Sequence, residues 1–422
     1  MDVYRVAPLG APLDAVVEVP GSKSVANRAL VCAALAEGES VLHHVPDGDD
    51  TEAMLDCLSA LGVEVERAEE TVRLGGGVSH FRRGQVTLHT RLAGTTSRFI
   101  TAVAALGPGQ YTIDGLAPLR RRPMAPLHEA LATLGVSVRA LDGAGHLPVT
   151  IEGPLDVTVD EVQLRGDISS QYLTALMLIA PYLPNGLRLV LTTPLVSRPY
   201  VRITAAVMAA FGVPGVELGD RIITVPGGRY AAREFTVEPD ASSASYPLAA
   251  AAICGGTVRV PGLTDSSLQG DAGFHRVLAR MGCSATQDAS GTTVTRVGDL
   301  KGIEVDMVDL SDLVPTLAVV APFASGRTDI HGVGFIRNKE SDRLSDLCAE
   351  LRKAGIDALD NPDGLVVEAS TPRTATLGTH HDHRLAMAFA LVGLGASGII
   401  IEDPDVVSKS WPGFWDMIEG LR

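Results

Sequence analysis

Ala60-Leu61-Gly62-Val63 ends an amphipathic run of sequence and begins an alternating one. A glycine at such a junction reads as a helix C-cap, because the residue that leaves a helix turns left-handed most easily without a Cβ. The phrase recurs as Thr133-Leu134-Gly135-Val136, Ala210-Phe211-Gly212-Val213, Arg280-Met281-Gly282-Cys283 and Lys353-Ala354-Gly355-Ile356. Its glycines are spaced by 70 to 77 residues. Upstream of each phrase a second pattern repeats. A polar cluster opens a small-residue apolar helix over 22–36, 95–106, 169–183, 242–254, 311–324 and 382–394. Each of these is followed by glycine and a short strand, at 40–45, 111–113, 187–191, 257–260, 328–330 and 399–401. The chain therefore reads as six α/β units of about 70 residues, the last truncated. The first helix of each unit is apolar nearly all round, so it is expected to be buried. A period this long favours compact domains of a few units each over an open solenoid.

Composition agrees with an α/β protein built on small side chains. The 422 residues are 46% hydrophobic but only 4% aromatic, enough for two or three domains with large cores. A net charge of −15 argues against a general nucleic-acid or membrane-surface binder, and it makes clustered cations more informative. The five cysteines are scattered without a CxxC, which disfavours a disulfide framework or a thiolate metal site. Cys32, Cys57, Cys254 and Cys348 are expected to fill core space. There is no basic start followed by an apolar run, and no apolar stretch reaches the length of a membrane span, so a cytoplasmic protein is expected.

The polar clusters carry the chemistry. In 19–30, Gly21 is expected to turn the chain sharply, and Ser22 or Ser24 to cap the following helix. Lys23 and Arg28 add two full charges to the positive end of that helix. Two readings fit this stretch: an anion site, or a well-capped helix start with incidental charges. A P-loop is excluded, since the required glycines are replaced by Val17 and Ser22. The other clusters repeat the theme. Gly94-Thr95-Thr96-Ser97-Arg98 and Arg120-Arg121-Arg122 fall in the second unit, and Ser169-Ser170-Gln171 and Ser197-Arg198-Pro199-Tyr200 in the third. Ser311-Asp312 and Arg337-Asn338-Lys339-Glu340-Ser341-Asp342-Arg343 fall in the fifth, and His380-His381-Asp382-His383-Arg384 and Ser408-Lys409-Ser410 in the sixth. If three units pack together, their helix starts converge and focus positive potential on one face. The histidine run superficially resembles a metal cluster, but adjacent residues do not share a helix face and no HExxH accompanies them, so no metal is expected. Asp312, Glu340 and Asp342 read either as ion-pair partners of the surrounding cations or as proton donors and acceptors.

Taken together, these residues resemble the enolpyruvyl transferase family, and its shikimate branch in particular, over essentially the whole chain. Pro20-Gly21-Ser22-Lys23-Ser24 with Asn27-Arg28 is similar to the family's opening signature, and Lys339-Glu340-Ser341-Asp342-Arg343 to its second. Ser169-Ser170-Gln171, Asp240-Ala241-Ser242-Ser243-Ala244-Ser245-Tyr246, Asp382-His383-Arg384 and Arg122-Pro123 fall in the expected order. The resemblance implies a two-domain inverse α/β barrel built from six βαβαββ repeats. Residues 1–19 with 237–422 would form one domain and 20–236 the other, with chain crossovers near 20 and 237. It implies transfer of the enolpyruvyl group of phosphoenolpyruvate to the 5-hydroxyl of shikimate 3-phosphate, through a tetrahedral ketal phosphate. No metal and no cofactor are implied. The partners would be these two small anions only, with no nucleic acid and no membrane, acting on a monomer.

By that resemblance, Ser24, Arg28, Ser169, Ser170, Ser197, Tyr200 and Lys339 would hold the acceptor. Lys23, Gly94, Arg122, Arg343, Arg384 and Lys409 would hold phosphoenolpyruvate, and Gln171 would touch both. Asp312 would accept the 5-hydroxyl proton, and Glu340 would protonate the methylene carbon with Lys23 nearby. Domain closure would exclude water and complete the site. Three positions depart from the pattern. Leu92 stands where the family often has Asn, Arg91 where it commonly has Gly, and Phe335 where some members place Asn. The branch that uses UDP-N-acetylglucosamine carries a reactive cysteine in the loop matching 114–126, which has none here. A paralogue with another cyclic acceptor and a non-catalytic anion binder are the remaining alternatives.

Overall fold

A computed structural model describes residues 2–157 and 159–422. The chain folds as two compact units, one formed by Met1–Pro20 with Glu238–Arg422, the other by Gly21–Val237. Each unit holds three small sheets and one hydrophobic core.

Five sheets have four strands in one arrangement, a parallel pair followed by an antiparallel hairpin, and in three of them a buried helix joins the parallel pair. In one, Gly84–His89 runs parallel to Gly109–Asp114, which pairs antiparallel with Val149–Glu152, and Ser137–Ala140 closes the edge. The same order is built by Glu161–Leu164, Leu187–Leu191, Ile222–Val225 and Glu217–Leu218. These five are the complete α/β units of the sequence, and a sixth, three-stranded sheet is the truncated one.

The first strand of two repeats comes from elsewhere in the chain. Leu13–Val16 precedes the Lys23 helix in the chain, yet it pairs in parallel with Gly256–Pro261. The repeat of the Lys23 helix takes Glu234–Thr236, parallel to Gly38–His43. The truncated sixth repeat pairs Ala375–Leu377 with Ile399–Glu402, and Val3–Arg5 completes its sheet antiparallel.

The six apolar helices are Lys23–Leu35, Gly94–Ala104, Ser170–Ile179, Ala241–Cys254, Val314–Val320 and His383–Gly395. Within each unit its three helices touch one another. Ala, Ser and Gly along them let their axes approach closely, with the sheets outside. Burial is nearly complete: in the first, every residue from Val25 to Leu35 is buried. The amphipathic helices end as the glycine phrase requires. Gly62, Gly135, Gly212, Gly282 and Gly355 all have positive φ, between 75° and 114°. At four of them a Schellman pair closes the helix, as in Gly62 N to Ser59 O at 3.0 Å and Val63 N to Leu58 O at 3.1 Å.

Gly21 is glycine for a different reason from the one its sequence suggests. It has no positive φ; instead, a Cβ there would lie 1.8 Å from the His44 carbonyl oxygen. Cys32, Cys57, Cys283 and Cys348 are buried, but Cys254, the last residue of its helix, is only half-buried. Among the described residues no helix is long and apolar enough to cross a membrane.

Candidate active site

In Gly21–Val237 the starts of the three buried helices meet. Ser22 caps the first, its Oγ accepting from Val25 N at 3.4 Å, and Ser169 caps the third, accepting from Gln171 N at 3.3 Å. No acidic residue lies in the first turn of any of the three. Helix starts without acidic residues of their own favour an anion. The amphipathic Asp49–Leu61 helix, by contrast, carries Asp49, Asp50 and Glu52 in its first turn. Two side-chain bonds tie the starts together: Gln171 Nε2 donates to Thr95 Oγ1 at 3.3 Å, and Arg28 to Thr174 Oγ1 at 3.3 Å.

Around this face stand the expected cations. Lys23 Nζ lies 3.0 Å from Asp50 Oδ2, and Thr96 Oγ1 donates to the Asp50 carbonyl at 3.1 Å. Gly94 opens the second helix beneath two guanidinium groups. A Cβ added there would sit 2.5 Å from Arg122 and 2.6 Å from Arg98. Arg98 is held by the Gly94 and Pro123 carbonyls at 2.7 and 3.3 Å and stacks over Tyr172. Two further arginines of the clusters serve the fold: Arg120 forks onto Asp114, and Arg198 pairs with Asp220.

Arg28 is buried. Burial lowers its pKa to about 10, so it stays charged at neutral pH. It donates to Thr204 Oγ1 at 2.8 Å and to the Ser24 and Tyr200 carbonyls at 2.6 and 3.2 Å, with the Phe99 and Tyr200 rings alongside. It thus braces the Lys23–Leu35 helix against Arg198–Ala210, which begins at Ser197. Ser197 is itself left-handed at φ 54°, a strained conformation for serine. The Gln171 Oε1 is buried and accepts no bond among the described residues, so a donor is missing at that atom.

The departures have physical explanations too. Arg91 sits at φ 50°, a left-handed position where glycine fits without strain. Leu92 packs on the core of this unit and Phe335 on that of the other.

In the unit of Met1–Pro20 with Glu238–Arg422, Arg343 organises the cluster. It is 1% exposed. Nε donates to Asp382 Oδ2 at 2.7 Å, one terminal nitrogen to Asp312 Oδ1 at 3.0 Å, and the other to Glu340 Oε2 at 2.8 Å and Asp382 Oδ1 at 3.2 Å. Burial alone would lower its pKa, but Asp382, Glu340 and Asp312 outweigh burial and raise it. Asp312 also accepts from Arg384 at 2.9 Å, with Lys339 Nζ at 3.9 Å. One carboxylate thus faces three cations. Asp382 caps the His383–Gly395 helix, accepting from Arg384 N at 3.0 Å, and takes the Ser341 hydroxyl at 3.0 Å. Lys409 is buried at the end of the short turn Pro404–Lys409.

Neighbouring candidates have structural work. Asp342 accepts from Leu344 N and Ser345 N, capping Ser345–Lys353, and pairs with Arg337, which also reaches Asp360. His380 Nε2 donates to Glu350 Oε1 at 2.8 Å, and His381 contacts Asp403 at 3.2 Å. Both histidines are left-handed, at φ 52° and 58°. Among the described residues no group of three or more His, Cys, Asp and Glu side chains is placed to hold a metal ion.

Asp50, Arg98 and Asp382 belong to these clusters although their motifs do not assign them a role. Arg98 is signalled by its place one helical turn after Gly94. Asp50 comes from the start of a helix distant in sequence from most of the cluster, and no local pattern marks it.

The family model "EPSP synthase (3-phosphoshikimate 1-carboxyvinyltransferase)" matches residues 9–418. A 3-phosphoshikimate 1-carboxyvinyltransferase from Nostoc punctiforme is 41% identical over 418 residues, covering 98% of each chain. One from Methanosphaerula palustris is 40% identical over 411 residues, covering 96% of each. The solved structure of the EPSP synthase of Acinetobacter baumannii superposes with a TM-score of 0.82 at 24% identity, over 99% of this chain and 98% of that one; this likeness shows the fold. With a family model spanning nearly the whole length and relatives aligned end to end, the chain belongs to the EPSP synthase (3-phosphoshikimate 1-carboxyvinyltransferase) family.

Proposed function

We propose that the chain transfers the enolpyruvyl group of phosphoenolpyruvate to the 5-hydroxyl of shikimate 3-phosphate and releases phosphate. The observation that carries this reading is Asp312, a carboxylate held by Arg343 and Arg384 with Lys339 close by. Cations in this number suit two clustered anionic substrates and the charge that develops on their adduct. Asp312 takes the proton of the 5-hydroxyl as its oxygen bonds to C2 of phosphoenolpyruvate, and Glu340 delivers a proton to C3. The adduct is a ketal phosphate carrying a methyl group. Loss of a methyl proton and of phosphate then regenerates the enol ether.

Phosphoenolpyruvate is assigned to Lys23, Gly94, Arg122, Arg343, Arg384 and Lys409. Shikimate 3-phosphate is assigned to Ser24, Arg28, Ser169, Ser170, Ser197, Tyr200 and Lys339. Gln171 serves both, its Oε1 accepting from a substrate hydroxyl. For Arg28 the support is indirect: it spends its donors mainly on the chain and holds Tyr200 in place. The protein acts as a cytoplasmic monomer, and its chemistry runs on its own side chains.

The test is phosphate release from phosphoenolpyruvate in the presence of a chelator, with shikimate 3-phosphate, other phosphorylated cyclic acids and UDP-N-acetylglucosamine compared as acceptors. Release with shikimate 3-phosphate alone is expected. Release only with another acceptor points to a paralogue. Ligand binding without any release points to a non-catalytic anion binder.

Gly94→Ala probes the anion cradle. The Cβ would displace the ends of Arg122 and Arg98, which are flexible, so the fold should survive. The KM for phosphoenolpyruvate is expected to rise by roughly tenfold or more with little change in Tm. An unchanged KM would remove Gly94 from that site.

A further inference from the structure

Immediately before Asp382 the backbone is left-handed twice in succession, at His380 with φ 52° and at His381 with φ 58°. Asp382 N closes this turn by donating to the Thr379 carbonyl at 2.9 Å. Turns with two left-handed central residues favour Asn and Gly, and a histidine, with its Cβ, is strained in either place. Such strain persists only where neighbouring groups hold it, and it concentrates at functional sites.

Glu350 is the group that holds it. It lies on the helix Ser345–Lys353, which begins two residues after Arg343, and it is 2% exposed. Its Oε2 accepts from Gly378 N at 2.8 Å and its Oε1 from His380 Nε2 at 2.8 Å. Lys353 Nζ lies 2.7 Å from the same carboxylate. Burial alone would raise the Glu350 pKa, but Lys353, the Gly378 N–H and His380 together lower it, so the group is ionised at neutral pH. One side chain thus grips the segment on both sides of Thr379. His381 has a weaker hold, on Asp403 at 3.2 Å, and both of those side chains are exposed.

The turn delivers the chain to the cation cluster. Asp382 accepts from Arg343 at 2.7 and 3.2 Å and from Arg384 N at 3.0 Å. Two residues beyond the turn, Arg384 donates to Asp312 Oδ2 at 2.9 Å. A change of φ at 380 or 381 re-aims everything that follows, so the strained turn fixes where the Arg384 guanidinium stands.

We propose that Glu350 is a positioning residue for Arg384: by gripping Gly378 and His380 it keeps the turn left-handed and holds Arg384 where phosphoenolpyruvate binds. The proposal rests on the reading of Arg384 as a phosphoenolpyruvate ligand. Glu350 acts through the turn alone.

The experiment measures kcat, the KM values for phosphoenolpyruvate and shikimate 3-phosphate, and Tm for the wild type, Glu350→Ala, His380→Ala, His380→Gly and Arg384→Lys. Glu350→Ala and His380→Ala are expected to raise the KM for phosphoenolpyruvate roughly five- to tenfold, with that for shikimate 3-phosphate within about twofold. His380→Gly loses the same side-chain bond but adopts the left-handed conformation without strain, so its KM for phosphoenolpyruvate should stay within about twofold of the wild type. The His380 side chain is half-exposed, so its variants carry the test if Glu350→Ala does not fold. A merely structural role would lower Tm, leave the KM of the folded enzyme unchanged and draw no distinction between alanine and glycine. An unchanged KM for phosphoenolpyruvate in His380→Ala, or equal impairment in His380→Gly, overturns the proposal. Arg384→Lys, which loses the guanidinium fork, should raise that KM. A near-normal value there overturns the assignment of Arg384 and the proposal with it. A raised value in Arg384→Lys beside an unchanged His380→Ala overturns the Glu350 proposal alone.

Discussion

Asp312→Ala is expected to lower kcat by roughly 10²–10⁴-fold, the range for loss of a positioned general base, while acceptor binding is held or tightens. The asymmetry follows from the charges around the site. Asp312 is the negative member of a group with Arg343, Arg384 and Lys339. Truncating it removes the base and leaves the cations more exposed to anionic ligands. A residue that only binds would behave in the opposite way. Steady-state kinetics with isothermal titration of shikimate 3-phosphate separates the two. Equal losses in kcat and in affinity would make Asp312 a binding residue.

Arg343→Leu is expected to destabilise the protein by about 3–5 kcal/mol, as breaking a buried ion pair from one side does. Three carboxylates, on Asp312, Glu340 and Asp382, take bonds from this one guanidinium, and Asp382 is fully buried. Leucine fills part of the volume but leaves those charges without their main partner. For a unit of this size the thermal midpoint should fall by roughly 6–20 °C at neutral pH. The deficit should shrink as pH drops through the carboxylate range, because protonated carboxyls no longer need the cation. A midpoint lowered by less than about 2 °C would mean the cluster is compensated from elsewhere.

What was legible in the sequence was local chemistry. The glycines of the repeated phrase demand positive φ, and all five have it. Apolar helices made of small residues read as buried because no face of them is polar, and the cap residues Ser22, Ser169, Asp240 and Asp382 mark their starts. Strand partners were less visible. Leu13–Val16 and Glu234–Thr236 serve repeats other than their sequence neighbours, and parallel pairing leaves no local trace of its partner. Gly21 shows the same limit, since its need for a bare Cα comes from His44. For the site, the motif cations stood out against an acidic background. Their carboxylate partners did not all do so: Asp50 reaches Lys23 only through tertiary folding, and Arg28 looks like a ligand residue until its Thr174, Thr204 and Tyr200 contacts are seen.

The central claim is that enolpyruvyl transfer proceeds by adding a proton to C3 of phosphoenolpyruvate and then removing one. Running the reaction in deuterium oxide with shikimate 3-phosphate and following the methylene group by proton NMR tests it most directly. Deuterium is expected in the methylene of the enolpyruvyl product as phosphate is released, since the intermediate methyl group carries one solvent deuteron and loses any of its hydrogens. Product formed with a fully protonated methylene would contradict it.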